Sequence, residues 1–214
     1  MSLFISFEGP DGCGKSTQAK LLTEWLKVQG YPVLLTREPG GTAIGDQVRK
    51  VLMSLENRRM NPRTEFLLFS ASRTQLVHEV IRPHLEAGGV IVSDRFYDSS
   101  LAYQGYGHGL DEEALRAITD FVTGGLKPDL TFLLDLAARV GLTRRRDGGN
   151  WNRLDDYDLE FHKRARQGYL SLASAEPDRW RVVEADRPID DIQAEIQNLL
   201  LPYLEATDLN PETA

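Results

Sequence analysis

Only one cysteine, Cys13, occurs in the 214 residues, so no disulfide can form within the chain, and a reducing, cytoplasmic setting is expected. Basic residues are in the minority. The 25 Lys and Arg face 32 Asp and Glu, a net charge of −7 with a pI near 5.2, which excludes the basic face that nucleic-acid binding needs. No apolar run approaches the length that spans a bilayer, and no membrane partner is expected. Met1 to Phe7 lacks the basic start of a secretory signal and reads as a core strand. The four histidines, His78, His84, His108 and His162, show no metal-ligand spacing and read as structural or solvent-facing. Internal repeats and low-complexity stretches are absent too.

What is present is 41% hydrophobic residues, enough for one substantial core. Short apolar runs alternate with amphipathic stretches. Strands are expected at Leu3–Phe7, Tyr31–Thr36, Gly89–Ser93, Leu130–Leu134 and Trp180–Glu184. Helices are expected at Thr17–Gln29, Ile44–Leu55, Arg63–Leu85 with a kink near Pro83, Ser99–Tyr103, Glu112–Val122, Leu159–Ala173 and Ile189–Leu204. Such alternation implies right-handed crossovers and a parallel sheet covered on both faces. Ligands bind such sheets beyond the C-terminal ends of the strands, which makes the residues there the ones to read for chemistry.

The first of these ends carries the strongest signal. Gly9-Pro10-Asp11-Gly12-Cys13-Gly14-Lys15-Ser16, followed by Thr17, fits G-x-x-x-x-G-K-[ST] between a strand and a helix, the context of a phosphate-binding P-loop. Glycines let the backbone aim its N–H groups inward at a helix N-terminus that favours anions. Lys15 suits the terminal phosphates of ATP, and the Ser16 hydroxyl suits Mg²⁺. The bland alternative is a Gly-rich turn without a ligand. Cys13 reads as a small packing residue, with a reactive thiol as the alternative. Asp94, closing the third strand, is well placed to hold Mg²⁺ directly or through water, and Arg95 offers a planar fork to a phosphate, against the alternative of a surface ion pair.

Arg37, Arg49, Arg73 and Arg95 come from four elements that the topology brings to one sheet edge. Together they suggest a second phosphate site; singly, each reads as a solvated surface residue. Phe69 and Arg73 share a helix face and suit a nucleobase, although a Phe in Phe66-Leu67-Leu68-Phe69 also reads as core. Arg144-Arg145-Arg146, Gly148-Gly149 and Arg153 read as a mobile arginine arm whose glycines break the helix where the charges sit.

These motifs together resemble the thymidylate kinases, specifically the bacterial form. The resemblance rests on the stretch Phe7 to Thr17, on Thr36-Arg37-Glu38-Pro39-Gly40-Gly41-Thr42, on Asp94-Arg95-Phe96, on Ser99 to Gly105 and on Pro128-Asp129-Leu130-Thr131, and it extends to about Tyr203. It implies a P-loop NTPase three-layer sandwich with a five-stranded parallel sheet, one domain over 1–205, a lid at about 139–156, and a frayed tail at 206–214. It implies transfer of the ATP γ-phosphoryl group to dTMP with Mg²⁺, and a homodimer packed through the long helices. By the resemblance, Phe69 stacks on thymine while Arg73, Ser100 and Gln104 read its edge. Tyr103 crowds the 2′ position, Arg37, Arg49 and Arg95 hold the dTMP phosphate, Asp11 meets the 3′-hydroxyl or the metal shell, and Glu38 sits near the transferred group. Lys15, Asp94, Arg95, Glu38, Arg146 and Arg153 are the expected catalytic set. Gly12 stands where one branch of the family has an arginine, Gly148 and Gly149 where lids often have another, and Cys13 where alanine is usual. A P-loop kinase for another nucleoside monophosphate or a deoxynucleoside shares the fold and remains an alternative, as does a non-enzymatic ATP switch.

Overall fold

The computed structural model describes residues 2–149 and 151–206, with the backbone alone described at Ala206. The five strands are β1 (Leu3–Glu8), β2 (Val33–Arg37), β3 (Val90–Asp94), β4 (Leu130–Asp135) and β5 (Trp180–Glu184). They lie in the order β2-β3-β1-β4-β5, every neighbouring pair parallel. This is the expected α/β sandwich. Period-two alternation sorts the side chains of β1 between two cores. Leu3, Ile5 and Phe7 pack with Leu22 and Leu26 of helix α1 (Lys15–Val28) and with Ile196 and Leu200 of the C-terminal helix. Phe4 points to the other face, against Phe96, Leu101, Tyr169 and Leu172. Each such side chain, fully buried, is worth roughly 1.5–3 kcal/mol.

Between the strands run α2 (Ala43–Met53), α3 (Pro62–Leu76), α4 (Arg82–Glu86), α5 (Tyr97–Ser100), α6 (Glu112–Thr123), α7 (Ala138–Asp147) and α8 (Leu159–Ala175); α9 (Ile189–Ala206) closes the chain. The expected long helix is there, and a π turn at Val77–Ile81 joins α3 to α4. The Arg82 N–H reaches back to the Val77 carbonyl. Pro83 has no N–H to give and a ring that obstructs a regular ladder, and the helix widens just before it. A second π segment, Leu101–Gly107, extends α5 well beyond the expected Tyr103.

The arginine arm differs from expectation. Arg144, Arg145 and Arg146 form the last turn of α7, and Gly148 follows as its cap. Cations at a helix C-terminus meet the negative end of its dipole, which favours the helix where the glycines alone suggested a break. The expected tail at 206–214 lies outside the described residues, apart from the end of α9 at Ala206.

Candidate active site

All strands are parallel, so their C-terminal ends share one edge, and there a cavity of about 1010 Å³ opens. The P-loop forms its floor. Gly14 caps α1 with a left-handed backbone (φ 98°), and its carbonyl accepts from the N–H groups of Thr17 and Gln18 at 3.0 Å each. Lys15 is folded back onto the loop, donating to the carbonyls of Gly9 (3.0 Å) and Pro10 (2.7 Å). A phosphate can replace those acceptors without moving the backbone. Cys13 is buried in the core below, which agrees with its packing reading.

Gly12 is where the loop touches α7. A Cβ there would lie 2.2 Å from the Gly141 carbonyl oxygen, and its φ of +77° already strains any side chain. Gly141 in turn would meet the Asp11 carbonyl oxygen at 2.0 Å. Backbone against backbone leaves no space for an arginine at position 12.

Ser16 donates to the Asp94 carboxylate at the end of β3. Both line the cavity. No cluster of three or more His, Cys, Asp or Glu suited to a metal exists among the described residues. A hydroxyl and a carboxylate oxygen nevertheless suit magnesium, which takes most of its remaining ligands from phosphates and water.

Arg95 follows Asp94 with a left-handed backbone (φ 74°), uncommon for a residue with a side chain and frequent at functional sites. Its guanidinium reaches Asp11 (2.7 Å), the Gly9 carbonyl (3.1 Å), Ser99 (2.9 Å) and Tyr169 (2.8 Å). Tyr103 donates to the other Asp11 oxygen. Burial alone raises the Asp11 pKa; the charges of Arg95 and Lys15 and the Tyr103 hydroxyl outweigh it and hold the carboxyl well below the usual range. Arg37 and Arg49 complete a cationic wall with Arg95, all three lining the cavity. Desolvation first, and then the charge of Arg37, lowers the Arg49 pKa, and the charges of Asp94 and Asp46 offset this only in part.

Arg73 is not part of that wall. It is 1% exposed and grips Glu38 with Nε (2.8 Å) and Nη2 (2.6 Å), while Nη2 also donates to Ser100 at 3.1 Å. It does not line the cavity, so of the four expected arginines three, Arg37, Arg49 and Arg95, face it. Glu38, which lines the cavity, is held by this pair.

Phe69 lies one turn before Arg73 and lines the cavity with Ser100, Tyr103 and Gln104. Among the described residues Arg73 Nη1, a donor, and Gln104 Oε1, an acceptor, are buried without a partner; Gln104 lines the cavity, and Arg73, held to Ser100 and Glu38 of that lining, does not.

The expected lid arginines divide. Arg144 and Arg145 line the cavity, Arg144 paired with Asp186 (2.6 Å) and Arg145 with Asp155 (2.8 Å). Arg146 lies over the Trp151 ring at 5.5 Å. Arg153 is 2% exposed, bound to Glu65 (2.6 Å) and to the Leu52 carbonyl (2.7 Å). It is a buried anchor, and the expectation of a mobile catalytic arginine at this position is not met.

Several groups here were not anticipated from the sequence. Glu8 accepts from the Phe96 N–H (2.7 Å), Ser99 (2.6 Å) and Tyr169 (3.1 Å), and burial and then the Asp98 charge push its pKa up to about 7. A charged residue closing the apolar run Leu3–Phe7 was the available signal. Glu65 is fully buried in α3, and its spacing of four from Phe69, itself four from Arg73, was legible as one helix face. Tyr169 carried no local signal. Asp135, by contrast, closes an expected strand and so is one of the strand ends the sequence marks for chemistry; it pairs with Arg166 at 2.7 Å and lies outside the cavity lining.

The comparisons agree with this geometry. A family model described as thymidylate kinase matches residues 7–196. A thymidylate kinase of Roseiflexus sp. is 51% identical over 216 residues, covering 95% of this chain and 96% of that protein. That of Deinococcus radiodurans is 53% identical over 194 residues, covering 91% and 94%. The crystal structure of thymidylate kinase from Ehrlichia chaffeensis superposes with a TM-score of 0.77 at 34% identity, covering 94% of this chain and 98% of that one. The chain belongs to the thymidylate kinase family.

Proposed function

We propose that the chain transfers the γ-phosphoryl group of ATP to dTMP, giving dTDP and ADP. The observation that carries the choice of base is the pair of partnerless buried atoms beside Phe69. A thymine edge offers a carbonyl O4 to the Arg73 donor and an N3–H to the Gln104 acceptor, and its ring fits the Phe69 face. Buried polar groups that find partners only in the right ligand discriminate strongly. A cytosine edge, with a bare N3 beside an amine, would leave both unpaired, and no comparison supports the alternative kinase readings.

Around that base the remaining groups take roles consistent with their positions. Gly9–Thr17 cradle the ATP phosphates, and Lys15 turns from the loop carbonyls to the β- and γ-phosphates. Ser16 and Asp94 hold magnesium, directly or through water, and the ion when bound neutralises charge on the phosphates. Arg37, Arg49 and Arg95 receive the dTMP phosphate, fixing its oxygen in line with the γ-phosphorus. Asp11, kept ionised, accepts from the sugar 3′-hydroxyl, and Tyr103 beside it leaves little space at the 2′ position. The lid charge comes from Arg144 or Arg145, the two that line the cavity, rather than from Arg146 or Arg153. A homodimer is supported by apolar side chains left exposed on α3 and α6, Leu67 at 53% and Phe121 at 86%. A cytoplasmic location fits the single cysteine and the substrates. Among the described residues no helix is long and apolar enough to cross a membrane.

A coupled assay of ADP release with dTMP, dUMP, dCMP, dGMP, AMP and thymidine tests the reading. The expected result is highest kcat/KM for dTMP, and a preference for any other acceptor overturns it. In the same assay Phe69→Ala raises the KM for dTMP about tenfold and leaves the KM for ATP unchanged. Equal weakening toward both substrates makes Phe69 a core residue only.

A further inference from the structure

Glu65 has no exposed surface and no task in the mechanism above, yet polar groups from two other stretches of chain converge on it. Gln104 Nε2 donates to Oε1 at 2.7 Å, and His108 Nε2 lies 3.3 Å from the same oxygen. The Tyr157 hydroxyl donates to Oε2 at 2.8 Å, and Arg153 Nη1 stands 2.6 Å from it. Arg153 also holds the Leu52 carbonyl and donates to the Tyr157 hydroxyl at 2.8 Å. The carboxylate is therefore pinned from both sides.

An ionised carboxylate accepts hydrogen bonds and donates none. This one stays ionised, its pKa depressed to about 2: burial works against the charge, and His108, Arg153, Gln104 and Tyr157 together outweigh it. Gln104 can satisfy it only with its NH₂ end, which fixes the amide and turns Oε1 the other way, the atom found without a partner. An unconstrained glutamine amide reverses at little cost and then presents a donor. A reading pocket built on it would accept either kind of base edge.

We infer that Glu65 is a positioning residue that locks the amide of Gln104 so that the pocket takes a base with a ring N–H and refuses one whose ring nitrogen is itself an acceptor. The inference rests on the dTMP reading above. Thymine and uracil present an N3–H beside a carbonyl. Cytosine presents a bare N3 beside an amine, opposing acceptor to acceptor at Gln104 and donor to donor at Arg73. The selection of thymine over cytosine thus depends on a carboxylate that never touches the base, and Arg153 links it to the end of α2 and the chain just beyond the lid.

The experiment compares dTMP with 5-methyl-dCMP, which differ only on that edge. In Glu65→Gln a neutral amide can donate to Gln104 and let it reverse. The expected result is a fall of about tenfold or more in the ratio of kcat/KM for dTMP to that for 5-methyl-dCMP, with the KM for ATP unchanged. Because Glu65→Gln leaves Arg153 buried without its counter-charge, the double variant Glu65→Gln/Arg153→Met is measured beside it, with the buried charge removed as a pair. Gln104→Met, which deletes the amide and leaves the Glu65–Arg153–Tyr157 contacts, separates the two readings. If Gln104→Met narrows the ratio and the Glu65 variants keep it at the wild-type value, Glu65 is only structural and the inference falls while the dTMP reading stands. If Gln104→Met also leaves the ratio unchanged, the base-edge reading falls and the inference with it.

Discussion

At the P-loop end of the cavity the loop backbone, Lys15 and Ser16 come from the single stretch Gly9–Ser16, joined by Asp94 from the end of β3, whereas at the base end Glu65, Gln104, His108, Arg153 and Tyr157 come from three distant parts of the chain. The two ends also store their polar groups differently. Lys15 rests on loop carbonyls that a phosphate can replace, and Ser16 is exposed. Around Glu65 both carboxylate oxygens are already engaged, by Gln104 on one side and by Tyr157 and Arg153 on the other. Any phosphate chain presents the same oxygens, so the anion site needs charge and adaptable donors. Bases differ by single hydrogen-bonding atoms, so the other end needs a fixed pattern, and fixing it takes buried partners.

The largest effect expected on this contrast is at the phosphate end. Lys15→Ala removes a charge whose value lies in the transition state, and kcat should fall by about three orders of magnitude, equivalent to roughly 4 kcal/mol of barrier. The dTMP/5-methyl-dCMP preference should survive in the residual activity, because the base end is built independently. Steady-state kinetics on the folded variant checks both parts, and near-wild-type turnover removes the P-loop from the mechanism.

That independence also explains what the sequence made legible. The P-loop, the strand ends at Arg37 and Asp94, and the parallel sheet follow from local pattern, because backbone geometry and period carry them. Arg73 and Arg153 were misread for one reason. An arginine on a helix or in a basic stretch reads as exposed or ligand-directed unless its counter-charge is known, and Glu38 and Glu65 are 35 and 88 residues away. The arm at 144–146 failed on a local competition, the glycines being weighed and the helix dipole not. Gly12 and Gly141 were invisible as a pair, since neither betrays its contact until the loop and α7 are brought together.

A smaller effect is expected where the lid meets the phosphates. Arg145 lines the cavity and is held by Asp155, so it is already oriented, whereas Arg146 rests on Trp151. Arg145→Ala should lower kcat and kcat/KM together by about tenfold to hundredfold with KM nearly unchanged, the mark of an interaction made in the transition state. Arg146→Ala should stay within about threefold of wild type. The opposite ranking would return the catalytic charge to the residue the sequence favoured and make the Asp155 pair structural.

The smallest expected effect lies beneath the P-loop, at Glu8. Its folded pKa of about 7 stands above the ordinary 4.5, because burial and then Asp98 penalise the charge more than Arg95, Ser99 and the Phe96 N–H favour it. The folded state therefore holds a proton that the unfolded chain releases at lower pH. The associated stability is fully present below about pH 4.5 and is lost as pH rises through 7. His162, its pKa lowered by burial, slopes the opposite way over the same range, so the wild-type curve alone does not isolate Glu8. Subtraction does. The stability difference between wild type and Glu8→Gln, from urea unfolding at intervals from pH 5 to 8, should shrink by on the order of 1–2 kcal/mol up to pH 7 and level off above it. A difference that is flat across that range means Glu8 is ionised throughout. Arg95 would then be held against a full negative charge on Glu8 as well as on Asp11, and the cationic wall would owe its position to two carboxylates instead of one.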